Sequence, residues 1–221
     1  MKYKLTNTIK QVGAITLYRI QAIVDFAEVK SGDLGGWIAS EKNLSQSGKA
    51  WVYGDAMIYG DAWVRDNAQV CGNARVCGDA WVCGNASVSA NAQVGDDARV
   101  YGNARVGDDA RVCGNAQVYG DAHVCGDARV CGDAQVYGDG WVSGNAWVCG
   151  NAWVCGNARV SGDAHVCGDA WVCGNAHVAG DATVYGNAMI AGDARVCGDA
   201  RVCGDAHVCG DAWVCGEKEP N

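Results

Sequence analysis

Proline occurs once in the 221 residues, at Pro220, and phenylalanine once, at Phe26. A loop-rich or disordered chain would carry proline alongside its 32 glycines, and this one does not. The phenylalanine of an ordinary core is also missing. Nine Trp and eight Tyr stand in its place, rings suited to sites where one edge stays wet, so most of the aromatics are expected on the surface. No run of 18 apolar residues exists, which excludes a membrane-spanning helix. The opening Met1-Lys2-Tyr3-Lys4-Leu5-Thr6-Asn7-Thr8 lacks the apolar stretch of a secretory signal. The chain is therefore expected in the cytoplasm, with its 14 cysteines as thiols. Positive charge is short too: 17 Lys and Arg against 25 Asp and Glu argue against nucleic acid as a partner.

What fills the chain is repetition. From Val52 to Val214 an aliphatic residue recurs every six positions without an insertion, 28 times, and it is Val except at Ile58 and Ile190. Ala lies two residues before each, with Gly140 the exception, and Gly two residues after in 24 of the 28. The unit reads A-x-V-x-G-[DN]. Alternation of Ala, x, Val, x has a period of two, so Ala and Val share one face of a strand of about four residues and both x positions share the other. Gly and the Asp or Asn after it then turn the chain, since both reach turn conformations cheaply. Antiparallel pairing has no preferred register among 28 equal strands. Stacking each strand on its repeat in the next coil pairs every backbone group and buries Val on Val. The pattern predicts an all-β parallel β-solenoid.

Cut as V-x-G-[DN]-A-x, the unit resembles that of the hexapeptide-repeat superfamily over residues 50–216. The resemblance implies a left-handed parallel β-helix, with three hexapeptides to a triangular 18-residue coil and about nine coils in all. At ~4.8 Å per layer the rod would be roughly 45 Å long. In residues 1–49, Arg19-Ile20-Gln21-Ala22-Ile23-Val24-Asp25-Phe26 and Gly32-Asp33-Leu34-Gly35-Gly36-Trp37-Ile38 resemble the opening segment of bacterial and prophage hexapeptide-repeat proteins. Most of these have no known function, and the likeness implies a bacterial or prophage source. Residues 1–49 are expected to form an N-terminal β cap, with strands over 4–10 and 14–23 and with Ile38 and Leu44 in a first irregular coil. Residues 50–216 form the solenoid and 217–221 a polar tail. The tail's charges and Pro220 only lightly blunt the last strand edge, which leaves end-to-end association open.

Chemistry has to come from the outward positions. The position before Val holds eight Trp, all four His and most of the Arg; the position after it holds all 14 Cys and six Tyr. Trp141, Trp147 and Trp153 follow at six-residue spacing and should gird one coil, with Trp171 above Trp153 and Trp81 above Trp63. Large exposed rings mark contact surfaces, so these six are the candidate interaction residues. The competing reading is that they shield the strand ladder by stacking on vertical neighbours. Cys113, Cys131, Cys149 and Cys167 form one column, Cys155 with Cys173 and Cys197 with Cys215 shorter ones. Layers ~4.8 Å apart lie within disulfide range, yet Tyr101, Tyr119 and Tyr137 fill the same kind of slot, which favours half-buried thiols. Strand neighbours diverge too far for a tetrahedral metal, and there is no C-x₂-C, so no metal and no cofactor are expected.

The best-known superfamily members are trimeric acyltransferases using acyl-coenzyme A, with a His general base beside a cleft. Here residues 52–214 contain no insertion to build a cleft, the repeats have no Lys, and His123, His165, His177 and His207 all lie on strand faces without a carboxylate nearby in sequence. No catalytic residue is expected. The corners hold 16 Asp and 11 Asn. An acidic rod could mimic DNA, but Arg-bearing faces dilute that field and the turn selects Asp and Asn on its own account. The sequence thus points to a non-enzymatic scaffold or protein-interaction module, with a protein partner or a second copy, and with acyltransferase and DNA mimic as alternatives.

Overall fold

The computed structural model describes residues 1–216; the expected polar tail, 217–221, lies outside the described residues. From Trp51 onward, 28 short strands run in three parallel sheets, each strand paired with those 18 residues before and after it. The chain is a three-sided parallel β-solenoid of about nine coils, as the repeat predicts. The first face runs from Met57–Ile58 through Trp147–Val148 to Arg201–Val202. The second runs from Trp51–Val52 through Trp141–Val142 to Trp213–Gly216, and the third from Trp63–Val64 through Trp153–Val154 to His207–Val208.

Most strands are two residues long rather than four, because Gly turns the chain at once with φ near 70°. Pairing still reaches past the strand. Trp63, Arg65 and Asn67 donate their N–H groups to the carbonyls of Ala80, Val82 and Gly84, one coil on. The Ala and Val columns point inward and are fully buried through the middle coils. Each buried Val contributes about 1.5–3 kcal/mol, and since no long side chain enters, successive coils are nearly identical.

The corners explain the rest of the unit. A Cβ on Gly114 would lie 2.9 Å from the backbone nitrogen of Gly132 in the coil above, so Gly serves both its left-handed φ of 68° and the close approach. Asp66, Ala90, Asp96 and Asp108 stand where Gly is missing and still adopt φ of 55–60°. The three Asp answer the strain with a bond: their carboxylates accept the N–H of Gly84, Gly114 and Gly126, each at 3.0 Å. At the next position, Asn side chains form ladders. Asn67 donates to Asn85, Asn85 to Asn103 and Asn103 to Asp121, at 2.9–3.0 Å.

Residues 1–49 begin with an antiparallel pair, β1 (Tyr3–Val12) and β2 (Ile15–Ala22), followed by β3 (Leu34–Ile38). Strand β3 pairs in parallel with Met57–Ile58 and so joins the first face, while Leu44 bridges to Val64 on the third. The segment covers outward positions as well as the end of the core. Trp51, placed outward by the repeat, is buried, and so is Trp37. Tyr3 and Phe26 pack edge-on against Trp51 at 6.2 and 5.3 Å, and Leu17 and Met57 enclose Trp37. Gly35 is required here, since a side chain would collide with Ile20 and Trp51. Lys2 is buried over the Phe26 ring, its Nζ donating to the carbonyl of Ala50 at 2.7 Å. Burial pushes its ammonium down to about 8. The side chain of Asn43, also buried, donates to the carbonyls of Gly60 and Ala62.

Candidate interaction surface

The six candidate tryptophans do not form one patch. Trp147 is on the first face, Trp141 on the second, and Trp63, Trp81, Trp153 and Trp171 on the third. The girdle of Trp141, Trp147 and Trp153 therefore points in three directions from one level. The other grouping, along the rod, collects four of the six on the third face.

Their rings are packed against vertical neighbours. Trp153 and Trp171 stack nearly parallel with centroids 4.9 Å apart, and Trp63 meets Trp81 edge to face at 5.7 Å. The Arg65 guanidinium covers both Trp63 and Trp81, and Arg99 the other side of Trp81. Trp141 lies between His123 and Arg159, and Trp147 meets His165 edge to face. Even the most open of the six, Trp171, shows only 41% of its surface.

Sequence reasoning saw the tyrosine column but not its place beside these tryptophans. Tyr101, Tyr119 and Tyr137 stack at 4.8 and 5.0 Å with rings parallel within 5°. The last then meets Trp153 edge to face at 6.0 Å. The hydroxyls of Tyr101 and Tyr119 donate to the side-chain oxygens of Gln117 and Gln135. The third face thus carries two aromatic runs, Trp63 with Trp81, and Tyr101 through Tyr119, Tyr137 and Trp153 to Trp171, with Arg99 stacked on Trp81 between them. The signal was present in the spacing: Val136, before Tyr137, and Val154, after Trp153, are 18 residues apart. At the first run, Leu44, Lys42 and Asp61 join Trp63 and Trp81 around an open cavity of about 480 Å³.

The cysteines sit outward and half-buried, except for exposed Cys203 and Cys209. Twelve are free, and Cys197 and Cys215 are joined as a disulfide between successive coils, unlike the all-thiol expectation; their Cα atoms are 4.6 Å apart, within bonding reach. Burial pushes the thiols of Cys71, Cys113, Cys125 and Cys173 upward. Cys149 is pushed up to about 12 by burial, then by Cys167 and Cys131 and by its hydrogen bond with Cys167. At neutral pH such groups are thiols and poor nucleophiles.

The four histidines lie on strand faces, as the spacing places them. Burial, then Arg159 and Arg195, hold His177 below its ordinary value. Among the described residues no carboxylate pairs with it to orient the ring as in a general base. Among the described residues no three metal-binding side chains converge, and no helix is long and apolar enough to cross a membrane.

A family model described as YdcK beta solenoid repeat matches residues 50–66, 68–84, 92–108, 98–114, 110–126, 152–168, 182–198 and 194–210, together just over half the chain. No curated protein matches. Among solved structures, a Bacillus cereus protein assigned as an acetyltransferase aligns at 14% identity with a TM-score of 0.25, covering 48% of this chain and 68% of that one. A likeness of that size says nothing about activity here.

Proposed function

Because this chain belongs to the YdcK beta solenoid repeat family, we propose that it works without catalysis, as a scaffold or interaction module whose third face docks a protein partner or a second copy. The two aromatic runs between Trp63 and Trp171 carry the reading. Trp, Tyr and Arg are the residues that dominate protein interfaces. Here each ring is already fixed by its vertical neighbour, so docking orders little side-chain freedom, a cost of about 0.5–1.5 kcal/mol per residue otherwise. Stacking also covers the ring faces, which suits a protein better than a sugar that must lie flat on an open ring. The free cysteines favour a reducing compartment, the cytoplasm, and the opening segment's resemblance favours a bacterial or prophage source.

The test is native mass spectrometry of the reduced protein, alone and after incubation in host extract, beside Trp153→Ser/Trp171→Ser. The expected result is an assembly heavier than one chain that the variant loses while keeping its β circular dichroism. A wild type that stays monomeric and unpartnered, or a variant that assembles as well, refutes the reading.

A further inference from the structure

On the first face, Cys113, Cys131, Cys149 and Cys167 occupy the same outward position in four successive coils, since Val112, Val130, Val148 and Val166 pair in register. Each thiol has the next as its vertical neighbour, and a neighbouring cysteine's charge opposes ionisation at Cys113 and at Cys149. The indole N–H of Trp147 donates to the Cys131 sulfur at 2.9 Å. Beside the column, Arg111 is stacked in register on Arg129, a like-charge neighbour pair that opposes folding. Among the described residues neither is in an ion pair with a carboxylate. The Arg111 charge nevertheless reaches Cys113, where it favours the thiolate, with Asp96 opposing it. His165 flanks Cys167 across Val166.

Two facts of coordination chemistry meet this arrangement. A zinc–thiolate bond is ~2.3 Å; with bonds of about that length, a cation in line between two sulfurs spans ~4.6 Å, close to the ~4.8 Å between strand layers. Thiolate is the soft donor that selects copper(I)-like ions over hard cations. A flat sheet that cannot bring three ligands to one point still offers two. We propose that this column binds soft monovalent cations of the copper(I) and silver(I) class, each held in line between the thiolates of successive coils. The pairs Cys113/Cys131 and Cys149/Cys167 take one ion each. In each, M⁺ and two thiols give an anionic bis-thiolate complex and two protons released to solvent. The complex carries one negative charge, which supplies the counter-ion that the Arg111–Arg129 stack lacks. Cys155 and Cys173, in register across one coil, form a third pair of the same kind. The four-cysteine column lies on a different face from the proposed docking surface, so its two sites are independent of that reading; Cys155 and Cys173 lie on the third face, beside Trp153 and Trp171.

The probe is silver(I), added to fully reduced protein in excess glutathione so that only chelated ions stay bound, with retained ions counted by native mass spectrometry. Wild type should retain three or four ions, the fourth at reduced Cys197/Cys215. Cys131→Ser and Cys149→Ser should each lose one, and the double variant two. Cys77→Ser and Cys83→Ser should lose none, since Tyr59, Gly95, Arg65 and Tyr101 are their column neighbours. Serine fills this outward position at Ser143 and Ser161, so the variants should keep the wild-type circular dichroism. In a separate titration with silver(I) in the absence of glutathione, proton release should be two per bound ion, and zinc(II) should not be retained. Retention that follows total thiol number, so that Cys77→Ser costs as much as Cys131→Ser, overturns the proposal. So does a Cys131→Ser/Cys149→Ser variant that holds as many ions as wild type, or a wild type that holds none.

Discussion

The Asp96 carboxylate takes the backbone N–H of Gly114, 3.0 Å away in the next coil, while its own backbone sits at φ 55°. The bond and the strain oppose each other, since a left-handed conformation costs a non-glycine residue about 1–2 kcal/mol. Asp96→Ala keeps the strain and loses the bond, so it should lower stability by about 1–2 kcal/mol. Asp96→Gly loses both and should stay within about 0.5 kcal/mol of wild type. Urea melts of the three proteins check the order; an alanine variant as stable as wild type refutes it.

Val148 lies between Val130 and Val166 in the closed interior and is fully buried. Val148→Asp places an unpaired charge where several kcal/mol would be needed to keep it ionised. The β circular dichroism signal should fall and the melting transition broaden or split, because each coil contacts only its neighbours. An unchanged melt would mean that Val148 does not face inward.

Stability should fall on the alkaline side. A thiol whose folded pKa is raised stabilises the fold fully below its unfolded value, ~8.5, and loses that contribution as pH rises toward the folded value, about 12 at Cys149. The half-buried tyrosines of the third face act the same way, with Tyr101 and Tyr119 both raised by burial first. Lys2 has the opposite sign. Its folded value of about 8 lies below the ordinary 10.5, so between those limits the unfolded chain holds more protons and stability rises with pH. Melting temperatures between pH 8 and 11 should decline less steeply for Cys149→Ser and more steeply for Lys2→Met than for wild type. Three parallel curves would refute both assignments.

Asn85 accepts from Asn67 and donates to Asn103. Asn85→Asp keeps the first bond and sets two acceptors facing in the second, a loss of about 0.5–1 kcal/mol at this exposed corner. Asp121→Asn, at the accepting end of the same ladder, should change stability by less than half of that. Chemical denaturation of the two variants checks the pair, and equal losses would show that the ladder has no direction.

The sequence carried the solenoid because period two within the unit and period six along the chain leave one way to pair 28 strands. The columns were legible too: Trp171 on Trp153, and Trp141 between His123 and Arg159, are where 18-residue arithmetic puts them. Trp51 and Trp37 were not, because what covers them is non-local. Tyr3, Ile20 and Phe26 meet Trp51 through a fold-back that no period encodes. The shortness of the strands was hidden as well, since alternation of side chains continues past the residues that pair.

A coil that touches only its neighbours makes length a free variable. Losing or gaining three hexapeptides anywhere among the middle coils would leave every column continuous and change the rod by ~4.8 Å. A single hexapeptide would instead rotate everything beyond it by one face, so that the tyrosines of the third side would no longer meet Trp153. Tandem duplication in the gene can thus set this molecule's reach in even steps, like marks on a ruler, provided it counts in threes.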